Sequence, residues 1–272
     1  METTHRAAVL GSPIEHSLSP VLHSAGYQAL GLAGWEYSRI LCGADDLPGI
    51  VGKADETFRG FSVTMPCKFA ALEFADEVTE RALQIGSANT LTRIDGGWRA
   101  DNTDCEGATV ALQELVGDTP VKQAILVGAG GTARAVMWAL REIGCERVTV
   151  VNRSDRAAEY VELAQGMDVS FCIFDADLEA VALEADVVAS TVPADALEQH
   201  AKALGHAPVF DVIYNPWPTS LAVSAASNGY PVVGGLSMLA GQSYAQFEQF
   251  TGVAAPRAEM RKELLRHWEQ TH

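Results

Sequence analysis

Val127-Gly128-Ala129-Gly130-Gly131-Thr132-Ala133 is the stretch that decides the fold. Residues 124–127, just before the glycines, form an apolar run that reads as a strand, and residues 132–143 after them carry helical periodicity. A second apolar run at 147–151 completes a strand–helix–strand unit. The spacing is G-x-G-x-x-A, with Ala133 in the third position. Gly128 permits the tight turn, and Gly130 lets the main chain approach a pyrophosphate. The helix start then faces the negative charge. A glycine pattern alone is a weak signal. Its place between strand and helix makes Gly128, Ala129, Gly130, Gly131 and Thr132 a candidate dinucleotide site rather than a structural turn.

The end of the second strand sets the expected cofactor. An enzyme built for NAD would usually carry Asp or Glu there, on the ribose 2′-hydroxyl. This chain has Asn152-Arg153-Ser154-Asp155-Arg156. A guanidinium suits a 2′-phosphate by charge and by its planar fork. The bland alternative is a solvated helix start with surface arginines. After the glycine loop, NADP is expected over NAD.

Outward from this unit the pattern continues. Strands are expected at 169–173, 187–190, 209–213 and 231–233, alternating with helices. Upstream, strands are expected at 7–10, 37–41, 60–63, 90–94 and 98–100. The alternation predicts an α/β protein with a mainly parallel sheet. A helix is expected from Pro20 to about Leu30, with Ser19 as its N-cap and Gly31 at its end. Another is expected over 103–116, and two more in the tail, over 236–249 and 256–268. Domain boundaries fall near 101–120 and at Gly234-Gly235.

Composition narrows the function classes. With 272 residues, 48 % of them hydrophobic, the chain can build a real core. Nineteen Lys and Arg against 35 Asp and Glu give a net charge of −16, which argues against nucleic acid and anionic membranes as partners. An anionic ligand must be met by local cations or helix N-termini. The five cysteines show no C-x-x-C spacing and read as free thiols in a reducing cytoplasm. The histidine pattern suggests no dedicated metal site. No apolar run is long enough to span a bilayer, and the N-terminus does not read as a signal peptide.

Polar groups cluster at expected strand ends in the first hundred residues. Ser17-Leu18-Ser19-Pro20 puts two hydroxyls at a helix start. Ser62-Val63-Thr64-Met65-Pro66-Cys67-Lys68 follows a strand and ends in lysine. Asn89 precedes a strand, and Asp101-Asn102-Thr103-Asp104 follows one. Each has a bland explanation as a cap, a turn former or a helix-dipole partner. Together they sit where open α/β sheets bind ligands.

These stretches resemble the shikimate dehydrogenase family. Gly11-Ser12-Pro13-Ile14-Glu15-His16-Ser17-Leu18-Ser19-Pro20 is similar to its opening motif. The Ser62–Lys68 stretch, Asn89-Thr90, Asp101–Asp104, the Gly128 loop, Asn152-Arg153-Ser154, Asp211-Val212-Ile213-Tyr214-Asn215-Pro216 and Gly235-Leu236-Ser237-Met238-Leu239-Ala240-Gly241-Gln242 follow in family order. The resemblance implies reversible, NADPH-dependent reduction of 3-dehydroshikimate to shikimate in aromatic amino acid biosynthesis. It implies two domains: an N-terminal α/β substrate domain, 1–104, completed by C-terminal helices in 237–272, and a Rossmann-type NADP-binding domain, 105–236. Carried onto matching positions, Lys68 and Asp104 form the catalytic pair. Ser17 and Ser19 bind the substrate carboxylate. Thr64, Lys68, Asn89, Asp104 and Gln242 hold ring hydroxyls, with Tyr214 nearby. Gly128 to Thr132, Asn152, Arg153, Ser154, Val212 and Gly235 contact NADP. The residue types suit the chemistry: a protonated lysine stabilises developing charge on oxygen and donates the proton. The chain is expected to act as a monomer or homodimer.

Three positions depart from the family pattern. Ser62 stands where Asn is frequent, with shorter reach and fewer donors. Cys67 stands where His or Gly is common, and its place beside Lys68 suggests a lowered thiol pKa. Arg156 follows Ser154 at a shorter spacing than in many relatives. Two alternatives accompany the main reading. One is a quinate dehydrogenase, against which Ser19 argues by filling space near the carboxylate-bearing carbon. The other is a non-catalytic NADP-binding sensor, against which the retained Lys68 and Asp104 argue.

Overall fold

The computed structural model describes residues 3–271. Residues 1, 2 and 272, the extremities of the expected substrate domain, lie outside the described residues. In chain order the elements begin with β1 (His5–Gly11), α1 (Ser19–Ala29), β2 (Trp35–Leu41), α2 (Leu47–Val51) and β3 (Phe58–Val63). There follow α3 (Lys68–Phe74), β4 (Glu77–Val78), α4 (Glu80–Ile85), β5 (Thr90–Ile94) and β6 (Gly97–Asp101). Next come α5 (Asp104–Val116), β7 (Gln123–Val127), α6 (Gly131–Glu142), β8 (Arg147–Val151), α7 (Val161–Ala164) and β9 (Asp168–Cys172). Then α8 (Leu178–Leu183), β10 (Val187–Ser190), α9 (Ala201–Leu204), β11 (Val209–Asp211), α10 (Ser220–Ser227) and β12 (Val232–Val233) lead to α11 (Gly235–Thr251) and α12 (Arg257–Thr271). The chain divides into two compact units. One runs to Thr103 and resumes at Gln242; the other is Asp104–Gly241.

The first unit holds a sheet of order β2-β1-β3-β5-β6-β4. The pairs β1–β2, β1–β3 and β4–β6 are parallel, but β3–β5 and β5–β6 are antiparallel. This sheet is therefore mixed, where the alternation of elements predicts a mainly parallel one. For β5–β6 the cause is local: Asp95-Gly96 makes a two-residue hairpin turn, with Ile94 opposite Gly97 and Gly96 at φ +87°. One face of the sheet buries Leu10, Leu47, Val51, Phe61, Leu91 and Trp98. On α11, Phe250 presses so closely on β3 that a Cβ at Gly60 would lie 2.1 Å from its ring, so only glycine fits. This contact helps seat the C-terminal helices on strands laid down early in the chain.

Helix α1 corrects a cap. Ser19 is the first helical residue rather than the N-cap, which is Leu18 without a side-chain hydrogen bond. The Ser17 hydroxyl instead accepts from the Ser19 N–H at 3.3 Å, so the capping service comes from two residues upstream. Pro20 then occupies the first turn, where its missing N–H costs nothing.

The second unit holds a sheet of order β12-β11-β10-β7-β8-β9 with every pairing parallel. The chain runs from β7 outward to β8 and β9, then returns to β10 on the other side of β7. That reversal is the topological switch of doubly wound nucleotide-binding sheets. Strand β10 is buried along its whole length and β7 over its last four residues. Such continuous apolar runs mark strands covered on both faces. Ile125, Val127, Val188 and Val209 pack with Leu178, Leu197 and Leu221 from the flanking segments. Strand β11 ends at Asp211, short of the expected 213, because the Asp211 carboxylate accepts from the Ile213 N–H at 3.1 Å and turns the chain. Among the described residues, no helix is long and apolar enough to cross a membrane. Nor is any group of three or more His, Cys, Asp or Glu among them placed to hold a metal ion.

Candidate active site

In the first unit, the C-terminal ends of β1 and β3 and the start of β5 share one edge of the sheet. Thr64 follows β3 directly; its N–H bonds Leu10 O at 2.9 Å, and its methyl lies so near Gly11 that a Cβ there would come within 2.4 Å. Lys68 opens α3, and its carbonyl accepts from Ala88 N at 3.0 Å, which ties the lysine's backbone to the Asn89 segment. Asn89 is 1 % exposed. Its Nδ2 donates to Gln242 Oε1 at 2.9 Å across 153 positions of sequence. Ser17 is held from β2: the Arg39 guanidinium donates to Ser17 O through Nε at 3.1 Å and Nη2 at 2.6 Å. Ser17, Ser19, Thr64, Lys68, Asn89 and Gln242 therefore all belong to this unit, on segments joined at one sheet edge. Asp104 and Tyr214 belong to the other unit.

In the second unit the glycine loop leaves β7 at the switch point. Gly128 has φ +103°, and a Cβ there would meet Thr191 Oγ1 at 2.5 Å, so both conformation and space demand glycine. Gly130 is the N-cap of the twelve-residue helix α6, and open space surrounds the position a Cβ would take at Gly130 and at Gly131. The main chain at the helix start is thus bare to an approaching phosphate, as a pyrophosphate cradle requires. At the end of β8, Asn152 Nδ2 donates to Ser154 O at 3.0 Å and shapes the turn that presents Arg153 to solvent. Among the described residues Arg153 has no ion-pair partner, whereas Arg156 Nε is bonded to Glu159 Oε1 at 2.7 Å. Val212 and Gly235 meet: a Cβ on Gly235 would lie 2.0 Å from Val212 O. Tyr214, Trp217 and Gly235 line a cavity of about 220 Å³ beside them. The residues present fit a dinucleotide carrying a 2′-phosphate.

Several structural side chains escape sequence reasoning. Asp101 carries a fork from Arg81, with Nε to Oδ1 at 2.6 Å, and accepts from Thr79 at 2.7 Å and Gln249 at 2.7 Å. Burial alone would raise its pKa; the Arg81 guanidinium and the two neutral donors overcome that and hold it below the ordinary carboxylate value. Asp211 is the converse. Burial dominates and raises its pKa, although Thr219 Oγ1 donates to it at 2.8 Å. Glutamines 242, 246 and 249 lie one turn apart on one face of α11, and that spacing is the available signal. Cys67 corrects the thiol expectation. Its side chain is fully buried and donates to Cys42 O at 3.1 Å, and burial raises its pKa despite the adjacent Lys68.

The comparisons with known proteins agree along the chain. Residues 9–91 match the sequence model of the shikimate dehydrogenase substrate binding domain. Residues 110–207 match that of shikimate / quinate 5-dehydrogenase, and residues 235–265 that of the shikimate 5'-dehydrogenase C-terminal domain. A shikimate dehydrogenase (NADP(+)) from Thermus thermophilus is 37 % identical over 257 residues, covering 91 % of this chain and 93 % of its own. The crystal structure of Mycobacterium tuberculosis shikimate dehydrogenase is 49 % identical, with a TM-score of 0.91 over 96 % of this chain and 99 % of its own. That of a shikimate 5-dehydrogenase from Thermus thermophilus, in complex with NADP(H) and shikimate, is 32 % identical, with a TM-score of 0.81 over 96 % of this chain and 99 % of its own. Sequence likeness along both units, joined to the switch-point glycine loop and the Asn89–Gln242 edge, leads to one conclusion: the chain belongs to the shikimate dehydrogenase family.

Proposed function

We propose that the chain is an NADP-dependent shikimate dehydrogenase that interconverts 3-dehydroshikimate and shikimate, with Lys68 and Asp104 as its catalytic pair. The observation that carries this reading is the gathering of Thr64, Lys68, Asn89 and Gln242 by one edge of the first unit's sheet. These residues are far apart in sequence, and their side chains suit a small, hydroxyl-rich acid. Ser17 and Ser19 offer hydroxyl donors to its carboxylate. Thr64, Lys68, Asn89, Asp104 and Gln242 hold its ring hydroxyls, with Tyr214 nearby.

A nicotinamide cofactor held by the glycine loop would supply or accept the hydride at the carbon bearing the reacting oxygen. In the reductive direction negative charge develops on that oxygen; the Lys68 ammonium stabilises it and delivers the proton. In the oxidative direction the same amine takes that proton back. The Asp104 carboxylate accepts a hydrogen bond from the reacting or adjacent hydroxyl. On the cofactor side, Gly128, Ala129, Gly130, Gly131 and Thr132 present main-chain N–H groups to the pyrophosphate. Asn152, Arg153 and Ser154 hold the 2′-phosphate end, and Val212 and Gly235 contact the cofactor farther along. Quinate as an additional substrate is the second reading, favoured by the shikimate / quinate description of the model matching residues 110–207.

Lys68→Ala tests the mechanism. It is expected to lower kcat by roughly 10²–10⁴, the span of a general acid–base group, while NADP+ still binds. Near-wild-type kcat would remove Lys68 from the reaction.

A further inference from the structure

A continuous chain of buried hydrogen bonds runs from β2 to the substrate edge, entirely within the first unit. Tyr37 OH lies 2.6 Å from Ser62 Oγ. Ser62 Oγ lies 2.7 Å from Gln246 Oε1. Gln246 Nε2 lies 3.1 Å from Asn89 O and 3.1 Å from Thr90 Oγ1. Thr90 Oγ1 lies 2.8 Å from Asn89 Oδ1, and Asn89 Nδ2 lies 2.9 Å from Gln242 Oε1. Tyr37, Ser62, Asn89, Thr90 and Gln246 are each 7 % exposed or less.

Two main-chain groups leave this chain a single polarity. The Asn89 carbonyl can only accept, so Gln246 must turn its NH₂ toward it and its oxygen toward Ser62. Ser62 then gives its one proton to Gln246, and its lone pair takes the Tyr37 proton. The Thr103 N–H can only donate, and it reaches Asn89 Oδ1 at 2.7 Å. Asn89 must therefore turn its NH₂ toward Gln242 Oε1. With that oxygen engaged, Gln242 has its Nε2 left to offer a ligand. Reversing any one amide would set two acceptors or two donors face to face in a buried site, at the cost of unmet hydrogen bonds.

We infer that Tyr37, Ser62 and Gln246 are positioning residues: Gln246, held by the Ser62 and Tyr37 hydroxyls, donates to Thr90 Oγ1 and so directs the Thr90 proton onto Asn89 Oδ1, which together with the Thr103 N–H keeps the Asn89 and Gln242 amides as hydrogen-bond donors, so that this end of the site selects a substrate oxygen able to accept. The inference rests on the proposed function, because it takes Asn89 and Gln242 as substrate ligands. It also gives Ser62 a role that its departure from asparagine leaves open: a hydroxyl accepts from Tyr37 and donates to Gln246 through one atom.

The test is steady-state kinetics of shikimate oxidation by Ser62→Ala, Gln246→Met and the double variant, with Tyr37→Phe as the milder change should a core variant fail to fold. Each single variant is expected to raise KM for shikimate by about tenfold, the scale of one lost buried hydrogen bond. KM for NADP+ should stay within about twofold, because the chain lies outside the nucleotide unit, and the double variant should be no worse than the poorer single one. Multiplying effects in the double variant, an unchanged KM for shikimate, or equal damage to both KM values would overturn the inference while leaving the function standing. Wild-type protein that fails to oxidise shikimate would overturn both.

Discussion

The His23 imidazole is stacked on Tyr37, with ring centroids 4.1 Å apart, and is fully buried. Neither ring nitrogen has a hydrogen-bond partner among the described residues. Burial drives its pKa from 6.5 to about 3, opposed only in part by the nearby Gln246 side chain. The folded pKa is depressed, so between pH 6.5 and about 3 the unfolded chain takes a proton that the native state refuses. The stabilisation is complete above pH 6.5 and declines as pH falls, at up to about 1.4 kcal/mol per pH unit. Asp101 acts with the same sign over a lower range: its share is present above pH 3.8 and is lost as pH falls through its depressed value. Urea unfolding at pH 7.5 and pH 5 should show a clear loss of stability in wild type and a much smaller one in His23→Phe. Equal losses in both would show that the imidazole protonates in place. None of this is legible in the sequence, where His23 is one histidine among seven. Its pKa depends on aromatic neighbours from β2 and α11 that meet only in the folded unit. Cys67 gives the same lesson: sequence adjacency to Lys68 suggests activation, but burial against Cys42 decides the opposite.

At the scale of elements, the β7–α6–β8 unit is legible almost residue by residue, because strand, glycine turn and helix each carry a local signal. The turn after β8 lets its two arginines be told apart. Arg156 is committed to Glu159 in an exposed i, i+3 ion pair, while Arg153 has no such partner among the described residues. A charge-assisted hydrogen bond to a phosphate is worth about 1.5–3 kcal/mol, so Arg153→Ala should raise KM for NADP+ by about 10–100-fold and spare KM for shikimate. Arg156→Ala should do much less. The reverse order in initial-rate measurements would move the 2′-phosphate contact to Arg156. The glutamine face of α11 escapes a reading of helical periodicity that follows apolar residues. Gln242, Gln246 and Gln249 turn a polar stripe toward Asn89, Thr90 and Asp101 of the first unit. The β5–β6 hairpin escapes it too, although Asp95-Gly96 announces the turn, because the strand-and-helix alternation elsewhere favours parallel pairing.

At the scale of the molecule, composition bounds the answer without reaching it. A net charge of −16 disfavours anionic ligands in general, so a carboxylate substrate and a phosphate-rich cofactor must be met by local features. Under the proposed function those features are the Ser17 and Ser19 hydroxyls for the carboxylate and, for the cofactor, the bare main chain at the start of α6 and the solvent-facing Arg153. The return of the C-terminal helices to the first unit leaves no trace in periodicity. It is legible only through family resemblance, and physically it rests on contacts such as Phe250 against Gly60 and Asn89 with Gln242. The most direct measurement is a matrix of initial rates for shikimate and quinate, each with NADP+ and with NAD+. Strong turnover with shikimate and NADP+, and far weaker turnover in the other three combinations, is the expected result. No turnover in any combination, from folded protein that still binds NADP+, would contradict it and leave a binding protein on a dehydrogenase fold.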